Sequence, residues 1–271
     1  MEGEVAKLEK GNIMKAESTT QQKIVTYNDI FKGLKKLNLP KNPVLLVHSS
    51  LKSFGYVEGG PATVIKALID TCGDEGTLVM PTLTFGSVDE EEPFFDAAET
   101  PSGTGLITEV FRKMPGVRRS LHLFSSAAAF GAKADYITSY HNDTPCGPGT
   151  PYQKVIELEG YILFIGAGFG SNTLFHVAEE YANPPYMRYK TIKDTKIKDL
   201  DGNTYIKTLR RYDCYQTGII RKLVKMEEVF EKENVLTRTI IGNSNITLIS
   251  AEDNFKISCA LLKNNYTYIL E

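Results

Sequence analysis

The sequence has 271 residues, of which 42% are hydrophobic and 24% are charged, a balance typical of a globular protein with a buried core. Its formal net charge of −2 is too small to attract nucleic acid or an anionic membrane strongly, and no apolar stretch reaches the ~20 residues that a membrane-spanning helix needs. We therefore expect no nucleic-acid partner, no membrane partner and a cytoplasmic location, while these features leave the oligomeric state open.

The four cysteines are scattered, at positions 72, 146, 214 and 259, with no CxxC pair. This spacing is typical of reduced thiols and not of a disulfide scaffold or a zinc site. The four histidines show no HxH or HExxH pattern, so no metal site is predicted. The N-terminus carries Glu2, Glu4 and Glu9 and lacks the apolar core of a secretion signal. We expect residues 1–22 to form a flexible tail and residues 23–271 to form one domain.

In the first half of the chain, short apolar runs alternate with amphipathic segments. Thr26 or Asn28 is predicted to cap a helix with apolar positions at 30, 31, 34 and 37. A strand is predicted at 44–47, a helix beginning near Pro61 and ending at Cys72, and a second strand at 77–80. The segment 86–104 is rich in Asp, Glu, Pro and Gly, and its length and composition predict a functional loop or lid.

In the second half, the pattern predicts a helix at 105–111, irregular structure at 116–126, a packed element at 127–130 and an apolar strand at 161–166. Alternating residues then predict antiparallel strands at 192–198 and 204–212. A long amphipathic helix is predicted over roughly 215–233, followed by a last β/α unit. The predicted fold class is therefore α/β: a single domain with a central mixed sheet flanked by helices and an antiparallel C-terminal portion.

Two polar clusters lie at or near the ends of predicted strands, where ligands bind in open α/β sheets. The first begins at His48-Ser49-Ser50 and ends in glycines, a composition suited to binding an anion, although neither the P-loop nor the GxGxxG spacing is present. The second contains Arg118 and Arg119 with nearby serines and can grip a phosphate. The alternatives are a capped turn and an exposed basic loop.

A third cluster places His176 one turn into a helix that follows the apolar strand at 161–166. Glu179 lies three residues further on, and this spacing puts both side chains on one face of the helix. A histidine beside a carboxylate at such a position is typical of a general base with an acidic neighbour. The alternative is a surface histidine beside a solvated glutamate.

Taken together, these motifs resemble the aminoglycoside 3-N-acetyltransferase family. The resemblance rests on Leu46–Leu51, Gly55–Gly60, Gly76–Thr82, Phe111–His122, Gly149–Lys154 and Asn172–Glu179, which occur in family order and span roughly residues 25–260. It implies a cytoplasmic enzyme of antibiotic resistance, with the family's own α/β fold. The implied reaction moves acetyl from acetyl-coenzyme A, a co-substrate, to an amine of an aminoglycoside or other amino sugar.

The resemblance also assigns roles to individual residues. It implies that coenzyme A is bound by His48, Ser49, Ser50, Ser53, Phe54, Gly55, Val57, Met80, Thr82, Arg118, Arg119, Ser120, His122 and Ser125. It makes His176 the general base, oriented by Glu179 or by Asp213. An ammonium group must lose a proton before it attacks a thioester, and histidine, with an ordinary pKa near ~6.5, suits that task. We expect direct transfer, because the resemblance assigns no covalent role to Cys146.

Three departures from the family pattern bear on the acceptor. Gly170 stands where many members carry an acidic residue, Leu123 stands where proline is common, and the chain has no tryptophan and a short 83–104 loop. These departures predict poor activity on bulky aminoglycosides or better activity on a smaller amino sugar, although the acidic run Asp89–Glu92 can attract a polycation. The alternatives are a coenzyme A-binding family member with weak or no aminoglycoside activity, and a hydrolase of small acyl compounds.

Overall fold

The computed structural model describes residues 24–84, 86–214 and 218–270, so the predicted tail at 1–22 lies outside the described residues. The helices are α1 (Tyr27–Lys35), α2 (Gly60–Cys72), α3 (Leu106–Arg112), α4 (Ala134–Thr138), α5 (Pro151–Glu157), α6 (Phe175–Ala182), α7 (Met226–Lys232) and α8 (Ala251–Asn265). The strands are β1 (Ile24–Val25), β2 (Val44–Ser49), β3 (Tyr56–Val57), β4 (Thr77–Pro81), β5 (Phe94–Asp96), β6 (Arg118–Arg119), β7 (Ala127–Gly131), β8 (Tyr161–Ile165), β9 (Tyr189–Lys198), β10 (Thr204–Tyr212), β11 (Thr237–Ile241) and β12 (Ser244–Ser250).

A mixed sheet forms the centre of the molecule. Within the described ranges its strand order is β11-β12-β8-β2-β4-β7-β6. The three middle strands β8, β2 and β4 are parallel, and the strands on both flanks run antiparallel to their neighbours. The carboxyl ends of β2, β4 and β8 therefore meet at one edge of the sheet, where Ser49, Pro81 and Ile165 lie. This arrangement confirms the predicted fold class.

Side chains alternate between the two faces of this sheet, and helices cover both faces. Leu46 and Phe164 pack in the hydrophobic cluster that includes residues of α5, α6 and α8. Leu45 and Leu163 pack in the opposite cluster, which includes residues of α1, α2 and α3. Because both faces are covered, the central strands are continuous apolar runs, as the sequence predicted. No helix within the described residues combines the length and apolar character needed to cross a bilayer.

A second, smaller sheet has the order β10-β9-β5. Its antiparallel β9–β10 hairpin confirms the predicted strand pair, although β9 begins earlier, at Tyr189. The 86–104 segment is not all loop, because Phe94–Asp96 pairs in parallel with β9. Likewise, Arg118–Arg119 forms a short strand inside the segment predicted to be irregular. The partner of Phe94–Asp96 is distant in sequence, so the local pattern could not reveal that strand, and the two residues of Arg118–Arg119 are too few to show an alternating pattern.

The predicted long helix over 215–233 is wrong for the part of that range that the structure describes. Helical structure there is limited to a 3-10 turn at Leu223–Lys225 and to α7. Gly218 has a φ of +72°, and Arg221 forms a β-bridge with Leu270. The extended backbone at 219–222 thus bonds to the C-terminal segment instead of to itself. The last predicted β/α unit also differs from the structure, in which two antiparallel strands, β11 and β12, precede α8.

Candidate active site

A cavity of about 850 Å³ opens at the carboxyl ends of the three parallel strands. His48 and Ser49 from the end of β2 and Pro81 from the end of β4 form part of its wall. Gly170, Ser171 and His176, from the segment after β8, form another part. Two smaller cavities, of about 470 and 350 Å³, lie at the opposite edge of the sheet. The larger cavity is where the fold predicts a ligand site.

His176 reaches the cavity through a tight connection between β8 and α6. The connection leaves β8 at Gly166, whose φ is +58°, and makes a 3-10 turn at Phe169–Ser171. The side-chain oxygen of Asn172 accepts a hydrogen bond from the N–H of Phe175 at 3.2 Å. His176 therefore lies in the first turn of α6, with its side chain 20% exposed on the cavity wall.

His176 and Glu179 form the predicted pair. The ring Nδ1 lies 2.5 Å from Glu179 Oε2, and the Glu179 side chain is fully buried. The carboxylate also accepts hydrogen bonds from Arg221 Nη1 at 2.8 Å and from the Tyr186 hydroxyl at 2.7 Å. Because a charged acceptor faces Nδ1, this nitrogen carries the proton and Nε2 is the basic nitrogen of the ring.

Glu179 is ionised although it is buried. Burial by itself raises the pKa of a carboxyl, but the attraction and hydrogen bond of His176, the charge of Arg221 and the hydrogen bond of Tyr186 outweigh that effect. The pKa of Glu179 is therefore lowered from its ordinary value. The site holds a fixed negative charge directly behind the imidazole, which stabilises the imidazolium form when the ring accepts a proton.

The structure adds neighbours of His176 that the sequence did not identify. The Tyr212 ring lies 5.2 Å from the His176 ring, and its hydroxyl donates to Glu180 Oε1 at 2.6 Å. Glu180 also accepts from the Thr144 hydroxyl and from the N–H of Cys146. Glu180 follows Glu179 in the sequence, but no local pattern connects Tyr212, Tyr186 or Arg221 with α6. Only the fold brings these residues to the site.

Asp213, the second predicted partner of His176, faces another residue. Its carboxylate accepts a hydrogen bond from Arg211 Nη1 at 2.9 Å, and Arg211 also pairs with Glu90. Among the described contacts none joins Asp213 to His176. Of the two candidate carboxylates, Glu179 is thus the one in contact with the imidazole.

Three of the residues predicted to bind coenzyme A line the same cavity as His176, namely His48, Ser49 and Ser125. His48 is buried and stacks on Phe164, with ring centroids 5.2 Å apart. Burial, together with repulsion from His176, lowers the pKa of His48 to about 3, so this imidazole is neutral. The strand end therefore presents neutral polar groups to the cavity beside His176 and the ionised Glu179.

The other predicted coenzyme A residues are not among the described residues that line this cavity. They are Ser50, Ser53, Phe54, Gly55, Val57, Met80, Thr82, Arg118, Arg119, Ser120 and His122. Several of them lie in the layer of residues next to the cavity-lining residues. Ser53 Oγ, for example, donates to the Ser50 carbonyl at 2.6 Å, and Phe54 and Met80 are fully buried in the core.

The structure does not bring Arg118 and Arg119 together as a phosphate clamp. Arg119 is buried, and its guanidinium donates to the carbonyls of Thr82, Ala97 and Thr100 at 3.1, 3.2 and 2.5 Å. The Arg118 side chain is 51% exposed and pairs with Asp135 at 3.0 Å. Adjacent residues of a strand point to opposite faces, which is why the two arginines separate.

His122 shapes the cavity wall instead of lining it. It is fully buried, its ring centroid lies 4.6 Å from that of His141, and its Nδ1 accepts hydrogen bonds from the N–H groups of Phe124 and Ser125 at 3.2 and 3.1 Å. Burial lowers the pKa of His122 to about 4, so the ring is neutral and Nδ1 is free to accept. Its contacts fix the turn that carries Phe124 and Ser125 to the cavity.

Cys146 lines the cavity as a buried thiol. Burial and the nearby Glu180 carboxylate raise the pKa of this thiol well above its ordinary value. The thiol is therefore protonated at neutral pH, and a protonated thiol is a poor nucleophile. Its place between Tyr212 and Glu180 suits packing better than covalent chemistry.

Comparisons with known proteins agree with the resemblance. The family model described as aminoglycoside 3-N-acetyltransferase matches residues 46–263. The SPbeta prophage-derived aminoglycoside N(3')-acetyltransferase-like protein YokD of Bacillus subtilis (strain 168) is 38% identical over 257 residues, covering 86% of this chain and 90% of that protein.

Two similar solved structures contain ligands. AAC-IIIb in a binary complex with CoASH is 26% identical, with a TM-score of 0.76, over 89% of this chain and 97% of that chain. A histidine-to-alanine mutant of aminoglycoside acetyltransferase AAC(3)-IVa in complex with a gentamicin is 28% identical, with a TM-score of 0.77, over 93% of both chains.

Proposed function

Because the chain belongs to the aminoglycoside 3-N-acetyltransferase family, with acetyl-coenzyme A as co-substrate, we propose that it acetylates an amine of an aminoglycoside or other amino sugar by direct transfer, with His176 as general base. The observation that carries this proposal is the 2.5 Å contact between His176 and the buried Glu179 on the wall of the 850 Å³ cavity. The relatives crystallised with CoASH and with a gentamicin support the two ligand classes.

The chain's own residues account for the movement of the proton. The acceptor enters as an ammonium ion and must lose a proton to become nucleophilic. Nδ1 of His176 is committed to Glu179, so Nε2 accepts that proton. The positive ring is then stabilised by Glu179, whose orientation Arg221 and Tyr186 maintain. Glu179 orients the base and balances its charge without needing to touch the substrate.

The cavity wall suits the pantetheine arm of coenzyme A. Pro81, Leu83 and Phe124 supply apolar surface, while Ser49 and Ser125 supply a few polar groups. Narrow apolar walls with sparse polar groups are typical of sites for such ligands. When bound, acetyl-coenzyme A supplies an acetyl thioester whose thiol leaving group has a pKa near ~8.5 and needs little acid assistance. We therefore assign no general acid among the cavity residues.

Thiol release from acetyl-coenzyme A, measured with and without an added amine, tests this function. We expect the rate of thiol release to increase when the amine is added. The same rate with and without the amine would instead indicate a hydrolase. His176→Ala should lower turnover by roughly 10²–10⁴, the range for loss of a general base, and leave coenzyme A affinity nearly unchanged in calorimetry. A His176→Ala enzyme with near-normal turnover on its best amine would rule out this base.

A further inference from the structure

The segment 266–270 contacts both Arg221 and Tyr186, the described partners that Glu179 has besides His176. Each of the two donates a hydrogen bond to the Glu179 carboxylate, at 2.8 and 2.7 Å. Tyr186 follows α6, whereas Arg221 comes from the stretch before α7. Because one short segment touches partners from two parts of the chain, it can fix the carboxylate through both of them.

Main-chain contacts set the position of Arg221. Arg221 forms a β-bridge with Leu270, and the N–H of Lys222 donates a hydrogen bond to the Ile269 carbonyl at 2.7 Å. Ile269 is fully buried in the hydrophobic cluster that also contains residues of α6. The stretch that carries Arg221 is thus bonded to a segment that is itself anchored in the core.

The side chain of Lys225 strengthens this link from outside the cavity. Its Nζ donates hydrogen bonds to the carbonyls of Tyr268 and Leu270 at 3.0 and 3.3 Å. Hydrogen bonds from an ammonium are stronger than those between neutral groups. Lys225 is not among the described residues that line the cavity. A change at this position therefore loosens the segment 266–270 without altering the cavity wall directly.

Tyr266 makes the second contact, with the ring of Tyr186. The two ring centroids lie 6.1 Å apart, with an angle of 50° between the ring planes. This separation is within the range of aromatic pairs that contribute to stability. Tyr186 is buried, so the ring of Tyr266 is part of the packing that directs the Tyr186 hydroxyl to Glu179.

From these contacts we propose that the segment 266–270 is a positioning element of the reaction, which keeps Arg221 and Tyr186 on Glu179 and thereby keeps His176 oriented to accept the proton. The proposal rests on the proposed function and adds to its mechanism. None of the described residues of this segment lines the cavity, so it acts through Glu179 and its partners. A displacement of about 1 Å at a reacting group can cost roughly a hundredfold in rate, which is why contacts outside the cavity matter.

Kinetics of Lys225→Met, with Lys225→Arg as the matched control, test the contact with Arg221. Lys225→Met removes both hydrogen bonds to the segment, and Lys225→Arg keeps a donor there. We expect Lys225→Met to lower kcat on the best amine by roughly threefold to tenfold, the effect of one or two lost hydrogen bonds, and Lys225→Arg to restore most of the loss. KM for acetyl-coenzyme A should stay within about twofold, because the cavity wall is unchanged.

A double-mutant cycle shows whether the effect passes through Arg221. In an Arg221→Met background, Lys225→Met should lower kcat by less than about twofold further, because the residue that it positions is already gone. Tyr266→Leu tests the contact with Tyr186 separately and should lower kcat by a similar factor. Tyr266→Phe keeps the ring and should retain wild-type kcat. This second pair decides if Lys225→Met does not fold.

A signal that needs no turnover reports the same geometry. The Nδ1 proton of His176, hydrogen-bonded to a buried carboxylate, should give an NMR resonance downfield of the main-chain amides that is absent from His176→Ala. We expect this resonance to weaken through faster exchange with water in Lys225→Met and Tyr266→Leu, and to persist in Lys225→Arg and Tyr266→Phe.

The proposal is overturned if Lys225→Met and Tyr266→Leu keep wild-type kcat, or if Lys225→Met lowers kcat as much in the Arg221→Met background as in the wild type. Absence of transfer to every amine would refute the proposed function, and the NMR resonance then decides the positioning role alone. An unchanged resonance in both variants would refute that role as well, so the two failures are distinguishable.

Discussion

At the scale of single residues, the imidazole at the cavity wall depends on partners from three different segments of the chain. Glu179 is one helical turn from His176, but Tyr186 follows the end of α6 and Arg221 comes from the extended segment before α7. All three partners of the Glu179 carboxylate stabilise its buried charge. A buried carboxylate without such partners would take up a proton and lose its effect on the ring.

Glu179→Gln removes the negative charge at position 179 while it keeps nearly the same side-chain shape. We expect turnover to fall by roughly tenfold to a hundredfold, less than for His176→Ala, because the amide still orients the ring but no longer balances its charge. The free energy of unfolding should fall by about 3 kcal/mol, because the buried ion pair between Glu179 and Arg221 is lost.

Tyr186→Phe is the matched control, because it removes one hydrogen bond to Glu179 and keeps the charge. Kinetics and urea unfolding of both variants check the prediction. If Tyr186→Phe lowered turnover as much as Glu179→Gln did, the negative charge would not be the property that matters.

At the scale of elements, the connection from β8 to α6 positions the site. It approaches the 3-10 turn at Leu51–Phe54 closely, and a Cβ added to Gly166 would clash with Oγ and Cβ of Ser53. Gly166 also has a left-handed backbone, with a φ of +58°. The end of β8 can therefore pack against the turn that follows β2 only when residue 166 has no side chain.

Gly166→Ala should lower the free energy of unfolding by about 2–4 kcal/mol, since strain from the backbone and overpacking against Ser53 add together. Gly168→Ala is the control in the same connection, because an added Cβ there meets nothing within 4 Å. We expect its unfolding free energy to change by less than about 0.5 kcal/mol. Urea unfolding of both variants provides the measurement, and equal losses for the two would contradict the close approach.

At the scale of the whole molecule, three of the four histidines are buried in neutral form. Burial lowers the pKa of His48 to about 3 and that of His122 to about 4, and it lowers the pKa of His141 well below its ordinary value. Their hydrogen bonds fit neutral rings, as where His122 Nδ1 accepts from two main-chain N–H groups. Protonation of these rings is therefore linked to unfolding.

The linkage predicts that stability falls as pH falls from about 6.5 to about 4. In this interval the unfolded chain binds protons at histidines with an ordinary pKa near 6.5, while the folded protein keeps these three neutral, so acid favours the unfolded state. The slope can reach roughly 1.4 kcal/mol per pH unit for each histidine, or about 4 kcal/mol for three.

Urea unfolding between pH 7.5 and 5 tests this, and His122→Gln should reduce the slope by about a third whatever its effect at pH 7.5. An unfolding free energy that did not change between pH 7 and pH 5 would be inconsistent with three buried neutral histidines.

The sequence by itself determined the three middle strands of the central sheet and the candidate general base, His176, with its neighbour Glu179. The runs at 44–47, 77–80 and 161–166 are apolar because both faces of their strands are covered, so hydrophobicity alone marks them. Thr26 caps α1 with a capping box to Asp29, again a purely local signal. His176 and Glu179 are neighbours on one helix, so their contact followed from helical spacing.

Only the tertiary structure decided which other residues contact His176 and Glu179 and which predicted binding residues reach the cavity. Arg119 matches a phosphate-binding motif in sequence, yet the fold buries it among the carbonyls of Thr82, Ala97 and Thr100. The sequence of the segment before α7 predicts a helix, but Arg221 instead forms a β-bridge with Leu270 and an ion pair with Glu179. Local spacing specifies contacts within one helix or strand, whereas the partners of a buried charge are chosen by the packing of the whole chain.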